Sequence, residues 1–353
     1  MNTEKVLMKG NEAIAEAAIR AGCTAYFGYP IPPQNEIPAY MSHHMLTKGW
    51  VFIQAESEVA AISMVYGASC AGARAMTSSS SPGVSLKQEG ISYAAGADIP
   101  CVIANVSRGG PGLGSISPAQ SDYFQSTRGG GHGDYYCLVL APKSVQECAD
   151  FTYLAFDLAD KHRMPVIILA DGMIGQMMEG VALPPERPLK DLPSRNWSVG
   201  HMKDRPAKHI TSIHLVPSEL EAKTKARFER YEVIKKAEVR FEEIGCTGAD
   251  LVLTAYGTSA RVCQGARKLA EKAGIKVGLF RPITLWPFPY EALGKIGEGG
   301  KPILTVEMSH GQLVEDIRLS VLGKAPVHLL GHSGGVIPTE EEVFAEIRKI
   351  LGR

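Results

Sequence analysis

No C-x-x-C spacing occurs anywhere in this chain of 353 residues; its seven cysteines (23, 70, 101, 137, 148, 246 and 263) are scattered through apolar surroundings. That excludes an iron–sulfur or zinc site built from clustered thiolates of this chain, and it reads as the reduced core cysteines of a cytoplasmic protein. Net charge is missing too, with 37 Lys and Arg against 37 Asp and Glu. Nothing therefore points to a nucleic-acid or membrane footprint. No apolar run approaches the roughly 18 residues of a membrane span. The N-terminal "MNTEKVLMKGNEA" lacks the apolar centre of a secretory leader. Without secretion, the triplets Asn105-Val-Ser107 and Asn196-Trp-Ser198 carry no glycosylation signal. The ten histidines show no ligand spacing, so no metal site is expected of this chain.

What is present is a rhythm. The apolar runs "TAYFGYP", "WVFIQA", "RAMTSSS", "IPCVIANVS", "YCLVLAP" and "MPVIILAD" alternate with helical patterns. Short apolar runs between helices are what a doubly covered parallel sheet requires. Their C-terminal ends carry Gly, Ser, Arg and Asp, where open α/β sheets hold ligands. Six prolines between 184 and 217 then break the pattern into a stiff connector. A charged helix follows, with Ser218 and Glu221 in capping-box spacing and Phe228, Tyr231, Ile234 and Phe241 as its apolar face. Alternation resumes from "DLVLTAYGT" onward. The expected fold is α/β with two domains, each a mostly parallel sheet covered by helices. The boundaries read as 1–190, a connector and charged helix over 191–245, and 246–353.

Several stretches carry chemistry. "GHSGG" (331–335) fits a nucleophile elbow, but no histidine follows Ser333 and Pro338 interrupts any helix start, so it reads as a loop. "RGGPGLGS" (108–115) lacks the third glycine of a dinucleotide fingerprint. Its glycines still let a ligand approach Arg108 closely. "ADG" with Asn196 lacks the first glycine of the G-D-G…N diphosphate pattern. "QAESEVAA" puts Glu56 and Glu58 at a strand-to-helix junction, where acids complement the helix dipole. One of the two is expected to face inward, where burial would let it hold or donate a proton. "TSSSSPG" (77–83) is a hydroxyl-rich strand end, and His132 in "GGGHGDY" is a loop residue of open role. In "FGYPIPPQNEIP" (27–38), Pro30, Pro32 and Pro33 stiffen the turn after a strand more than a plain connector needs.

"YFGYPIPPQNEIP", "QAESEVAAISMVYGASCAGARAMTSSSSPG", "NVSRGGPGLG", "GGGHGDY", "VGLFRPITLWPFP" and "EMSHGQLVEDIR" together resemble the alpha subunit of 2-oxoacid:ferredoxin oxidoreductases, of the branched-chain (2-oxoisovalerate) type. The resemblance runs from about Lys5 to the C-terminus. It implies a pyrimidine-binding domain for thiamine diphosphate, then a transketolase-C-terminal-like domain. Glu58 matches the glutamate that bonds the coenzyme's aminopyrimidine ring and promotes loss of its C2 proton. Tyr29 and Pro30 border the coenzyme; Ile31 and Pro32 border the substrate. Arg108 matches the arginine that binds the substrate carboxylate, a bidentate task suited to guanidinium. The family turn usually reads Y-P-I-T-P, so Pro32 replaces a threonine hydroxyl here. The resemblance also implies partners: a beta subunit holding the diphosphate and Mg²⁺, and gamma and ferredoxin-like delta subunits with the iron–sulfur clusters. Ferredoxin would take the electrons and coenzyme A the acyl group, in an anaerobic, cytoplasmic setting. Two other readings stay open: half of a non-oxidative thiamine-diphosphate decarboxylase, and a non-catalytic assembly subunit.

Overall fold

The computed structural model describes residues 4–200 and 205–353. Residues 1–3 of the leader reading and 201–204 of the connector reading lie outside the described residues. The first half contains β1 (Val6–Lys9), α1 (Gly10–Arg20), β2 (Ala25–Gly28), α2 (Glu36–Thr47), β3 (Val51–Gln54), α3 (Glu58–Cys70) and β4 (Ala75–Ser79). It continues with α4 (Ser81–Gly96), β5 (Cys101–Ser107), α5 (Tyr123–Thr127), β6 (Leu138–Leu140), α6 (Val145–His162), β7 (Pro165–Asp171), α7 (Gly172–Gln176) and β8 (Met178–Val181). After the connector come α8 (Pro217–Ala237), β9 (Phe241–Ile244), β10 (Leu251–Thr254), α9 (Gly257–Lys272), β11 (Val277–Pro282) and β12 (Thr284–Trp286). The chain closes with α10 (Tyr290–Gly297), β13 (Ile303–Glu307), α11 (Leu313–Val321), β14 (Val327–Gly331) and α12 (Glu340–Leu351).

The larger sheet runs β12-β6-β7-β5-β4-β2-β3 and the smaller β14-β13-β10-β11-β9, while β1 and β8 form a separate antiparallel pair. Both sheets are parallel except at one edge each, where β12 pairs antiparallel with β6 and β9 with β11. β5 and β7, in register from Cys101↔Pro165 to Ser107↔Asp171, are buried along their whole length. Helices cover both of their faces, so "CVIAN" and "VIILA" can be apolar without alternation. Pro165 is tolerated as a strand's first residue.

The structure departs from the sequence reading at the junction of the halves. β9 lies within the segment read as connector, yet it is an edge strand of the second sheet. β12 comes from the second half but joins the first sheet, and its Trp286 stacks on Tyr136 with centroids 4.9 Å apart. The expected capping box is absent, because α8 starts with Pro217 at its first position and places Ser218 inside the helix. Phe241 belongs to β9 and stacks on Phe280 instead of extending the helix face.

The connector is clamped. Arg187 and Arg195 pair with Asp157 and Asp160 of α6, which also hold the buried Arg74 at 3.1 and 2.8 Å. Arg163 lies 4.0 Å from the Trp197 ring centroid. At the end of α8, Glu238 is enclosed by Lys161, His162 and Arg240. Burial alone would raise its carboxyl, but those hydrogen bonds outweigh it and hold the pKa down at about 2. A depressed carboxyl stabilises the fold above its unfolded pKa and loses that contribution as pH falls through its folded pKa. The stability difference between wild type and Glu238→Gln, read from urea midpoints, should therefore shrink steadily between pH 5 and pH 2. A gap that stays constant over that range would remove this role. Among the described residues no helix is long and apolar enough to cross a membrane.

Candidate active site

The polar ends of β4 and β5 converge on the first turn of α4. Ser57 caps α3 by accepting from the Ala60 amide at 3.2 Å, which sets Glu58 as the first helical residue. Glu58 is only 6% exposed while Glu56 stays exposed, so the inward-facing acid of the pair is Glu58. No hydrogen bond from the described residues engages the Glu58 carboxyl oxygens. Gly83, in the first turn of α4, explains how the carboxyl is accommodated. A Cβ there would stand 2.7 Å from Glu58 Oε1 and collide with Ser79 Oγ. Gly90, two turns on, is needed for the same reason, since its Cβ would come within 2.6 Å of Ile62. The two helices therefore approach along a glycine seam.

The proline turn is held from three sides. Asn11 of α1 and Gln176 of α7 donate to the Pro33 carbonyl at 2.8 and 2.7 Å, and both also bond Glu36, which pairs with Lys9 at 2.9 Å. Gln34 accepts from Ser78 Oγ at 2.5 Å, linking the turn to β4. Arg108 Nη1 donates to the Pro32 carbonyl at 2.8 Å. Tyr29, Pro30, Ile31 and Pro32 thus sit in a backbone whose position three other elements dictate. These hydrogen bonds add to the stiffness that the prolines supply.

Arg108 also donates from Nη2 to the Leu113 carbonyl at 2.9 Å, closing the glycine loop around itself. Its Nε is buried without a partner, and each terminal nitrogen keeps one free N–H. The guanidinium thus keeps N–H donors that no protein acceptor uses, the kind of group a carboxylate accepts. Ser81 joins the two halves of the site. Its Oγ accepts from the Arg108 amide at 2.9 Å and donates to Asp122 at 2.6 Å, while Gly83 two residues later faces Glu58. Asp122 also accepts from Asn105 at 2.8 Å. Burial raises its carboxyl pKa, against the bonds of Ser81, Asn105 and Ser107.

A thiamine-type coenzyme needs a buried carboxyl free to meet its ring nitrogen, polar groups able to bond it, and backbone that lets it close in. Glu58 without a partner, the orphaned hydroxyls of Thr77, Ser79 and Ser80, and the Gly83 cradle fit those needs. His132 lies elsewhere. It is exposed, and its carbonyl accepts from Ser92 nine residues beyond Gly83 on α4, about 13 Å along the helix. The GHSGG loop has a histidine neighbour after all, since Ser333 Oγ stands 3.0 Å from His310 Nε2. Both side chains are solvent-facing and the histidine precedes the serine. Instead, the loop receives the glycine loop, with Ser115 Oγ donating to the Gly334 carbonyl at 2.9 Å.

Two buried acids have structural partners that the sequence reading did not give. Asp171 accepts from the amides of Met173, Ile174 and Thr258 and from the Thr258 hydroxyl at 2.7 to 3.1 Å, tying α9 to the end of β7. Asp316 receives the hydroxyls of Tyr123 and Tyr290, both at 2.5 Å, and Arg128 at 2.9 Å. Asp171 caps the helix that follows it, but its Thr258 donors lie 87 positions away, and the Tyr123 donor of Asp316 lies 193 positions away.

Residues 16–244 match the family profile described as "Pyruvate flavodoxin/ferredoxin oxidoreductase, thiamine diP-bdg", and residues 249–343 match "Pyruvate:ferredoxin oxidoreductase core domain II". The chain is 49% identical over 346 residues to ketoisovalerate oxidoreductase subunit VorB of Methanothermobacter marburgensis, covering 98% of both chains. It is 40% identical to 2-oxoglutarate synthase subunit KorA of Archaeoglobus fulgidus, over 89% of this chain and 91% of that one. Among solved structures, 2-oxoglutarate:ferredoxin oxidoreductase from Magnetococcus marinus, with 2-oxoglutarate, coenzyme A and succinyl-CoA bound, superposes with a TM-score of 0.86 at 28% identity. That match covers 98% of this chain and 65% of the other, so this chain is equivalent to about two thirds of it. A split-gene transketolase, at 15% identity and a TM-score of 0.61, shares the fold alone. With two profiles in tandem along the chain and relatives this similar over nearly its full length, the chain belongs to the 2-oxoacid:ferredoxin oxidoreductase family.

Proposed function

We propose that the chain is the coenzyme-activating subunit of a thiamine-diphosphate-dependent 2-oxoacid:ferredoxin oxidoreductase, which converts a branched-chain 2-oxoacid and coenzyme A to acyl-CoA and CO₂. The observation that carries the reading is the Glu58 carboxyl, buried at the start of α3, unengaged by hydrogen bonds and seated over Gly83. Thiamine diphosphate, when bound, supplies the carbon nucleophile and stabilises the charge left by decarboxylation. Glu58 holds and returns a proton at the pyrimidine ring nitrogen. Tyr29 and Pro30 present a fixed backbone to the coenzyme. Ile31 and Pro32 form an apolar wall for the substrate's side chain, and Arg108 offers Nε and a terminal N–H to its carboxylate. Pro32 cannot donate the hydrogen bond of a threonine, which favours an aliphatic over a polar acid by about 1–3 kcal/mol. The VorB name of the relative at 49% identity supports the same choice.

The diphosphate and Mg²⁺ are assigned to a beta subunit. The iron–sulfur clusters are assigned to gamma and ferredoxin-like delta subunits, with ferredoxin as acceptor. These assignments rest on the sequence resemblance and on relatives that are themselves named as subunits. The test is purification of the native complex and assay against a panel of 2-oxoacids. A brown complex containing thiamine diphosphate, with 2-oxoisovalerate giving the highest kcat/KM and reducing ferredoxin, is the expected result. CO₂ release without ferredoxin reduction would identify the non-oxidative half-enzyme instead, and a colourless homo-oligomer the assembly subunit. Arg108→Ala should raise KM for the 2-oxoacid at least tenfold with a smaller change in kcat; an unchanged KM would exclude the carboxylate role.

A further inference from the structure

Between the two glycines of the α3–α4 seam stands a lysine. Gly83, Lys87 and Gly90 are spaced four and three apart, so they share the face of α4 turned to α3. A leucine or methionine would be the ordinary filler there. Lys87 instead buries its whole side chain, with 0% exposure, a rare state for a lysine. Its ammonium donates to the backbone carbonyl of Glu58 at 3.3 Å and forms no ion pair among the described residues. Two of its three N–H groups are left without a protein acceptor. The placement is costly twice over. The ammonium is desolvated, and it stands at the positive end of α3, whose dipole repels it.

We propose that Lys87 is a positioning residue for Glu58, fixing the backbone of the first turn of α3 and placing a positive charge on the side of the seam where the Glu58 carboxyl would meet the coenzyme ring. The inference rests on the role proposed above for Glu58 and extends it to a second side chain. Glu58 is the charged group that acts on Lys87 across the seam, and α4 itself contributes none. Burial lowers the ammonium's pKa to about 8, with the Glu58 charge opposing the fall. The field is therefore present at neutral pH and fades in mildly alkaline solution. Every role in this account is electrostatic or positional; Lys87 forms no bond to substrate or coenzyme.

Lys87→Met, made in the assembled holoenzyme, removes the charge and keeps an unbranched side chain of similar length. We expect kcat at pH 7 to fall about tenfold, KM for the 2-oxoacid to stay within twofold, and the alkaline limb of the pH–rate profile near pH 8 to disappear. Two readouts do not depend on turnover. The dissociation constant of thiamine diphosphate, measured by calorimetry, should rise severalfold. The near-ultraviolet circular dichroism of the bound coenzyme should lose its response to pH between 7 and 9. The thermal midpoint should not fall, because an isosteric apolar replacement of a buried charge is neutral or stabilising. If the methionine variant does not assemble, Lys87→Gln, which keeps a donor for the Glu58 carbonyl but no charge, makes the same comparison. A wild-type pH profile in the variant, or a loss of activity that follows a lower thermal midpoint with the alkaline limb unmoved, overturns the inference. Glu58→Gln separates the two layers. If it is inactive while Lys87→Met keeps the wild-type profile, only the lysine's role is lost; if it is fully active, the Glu58 reading itself falls.

Discussion

Glu58→Gln in the assembled complex should lower kcat for 2-oxoacid oxidation by three orders of magnitude or more, with subunit assembly intact. Removing a general acid–base typically costs about 10²–10⁴-fold, and this one has no neighbour able to replace it. Glu56 is exposed, and Asp122 is occupied by Ser81 and Asn105. The substitution is nearly isosteric, so the contact with Gly83 survives. The lost dipole interaction at the start of α3 is worth only about 0.3–1 kcal/mol. Stability and activity should therefore separate cleanly. Size-exclusion chromatography of the complex together with steady-state assay decides the matter, and turnover within tenfold of wild type would dismiss Glu58 as the proton carrier. Gly83→Ala gives a second, steric route to the same group. Its methyl would meet both Ser79 Oγ and the Glu58 carboxyl, so the carboxyl could not keep its position.

The largest expected effect on stability comes from Asp171. Its carboxylate accepts four hydrogen bonds, two from the first turn of α7 and two from Thr258 at the start of α9. Asp171→Ala leaves four donors without their acceptor in a site that is 2% exposed, at a cost on the order of 3–5 kcal/mol. Asp171→Asn should cost less, since one oxygen still accepts. The contact ties α9 of the second sheet's domain to β7 of the first sheet, so the loss should also reduce cooperativity. The urea transition followed by fluorescence, to which the interfacial Trp286 contributes, should then run ahead of the one followed by circular dichroism. An alanine variant with a single transition within about 0.5 kcal/mol of wild type would show that other contacts carry the junction.

Much of the architecture was legible in the chain. Continuous apolar runs such as "VIILA" require cover on both faces, and that requirement alone points to parallel strands under helices. The apolar Val59-Ala60-Ala61-Ile62 implied that one of Glu56 and Glu58 faces inward, and the family resemblance pointed to Glu58. Other features could not be read. Whether α8 ended before Phe241 depended on the pairing of that strand with β11, a contact 35 to 41 residues away. The union of the glycine loop with GHSGG spans 219 positions. Lys87 looked like any solvated lysine of a helix until the glycines on either side of it brought α3 close.

Local covalent and hydrophobic logic was sufficient for the alternation of strands and helices and for the glycine loop around Arg108, because each depends on residues within a short stretch of backbone. Only the folded chain settled which acids are buried and what each one holds. Burial of a charge depends on every group that surrounds it in space, and at Glu58, Asp171 and Asp316 those groups come from distant segments.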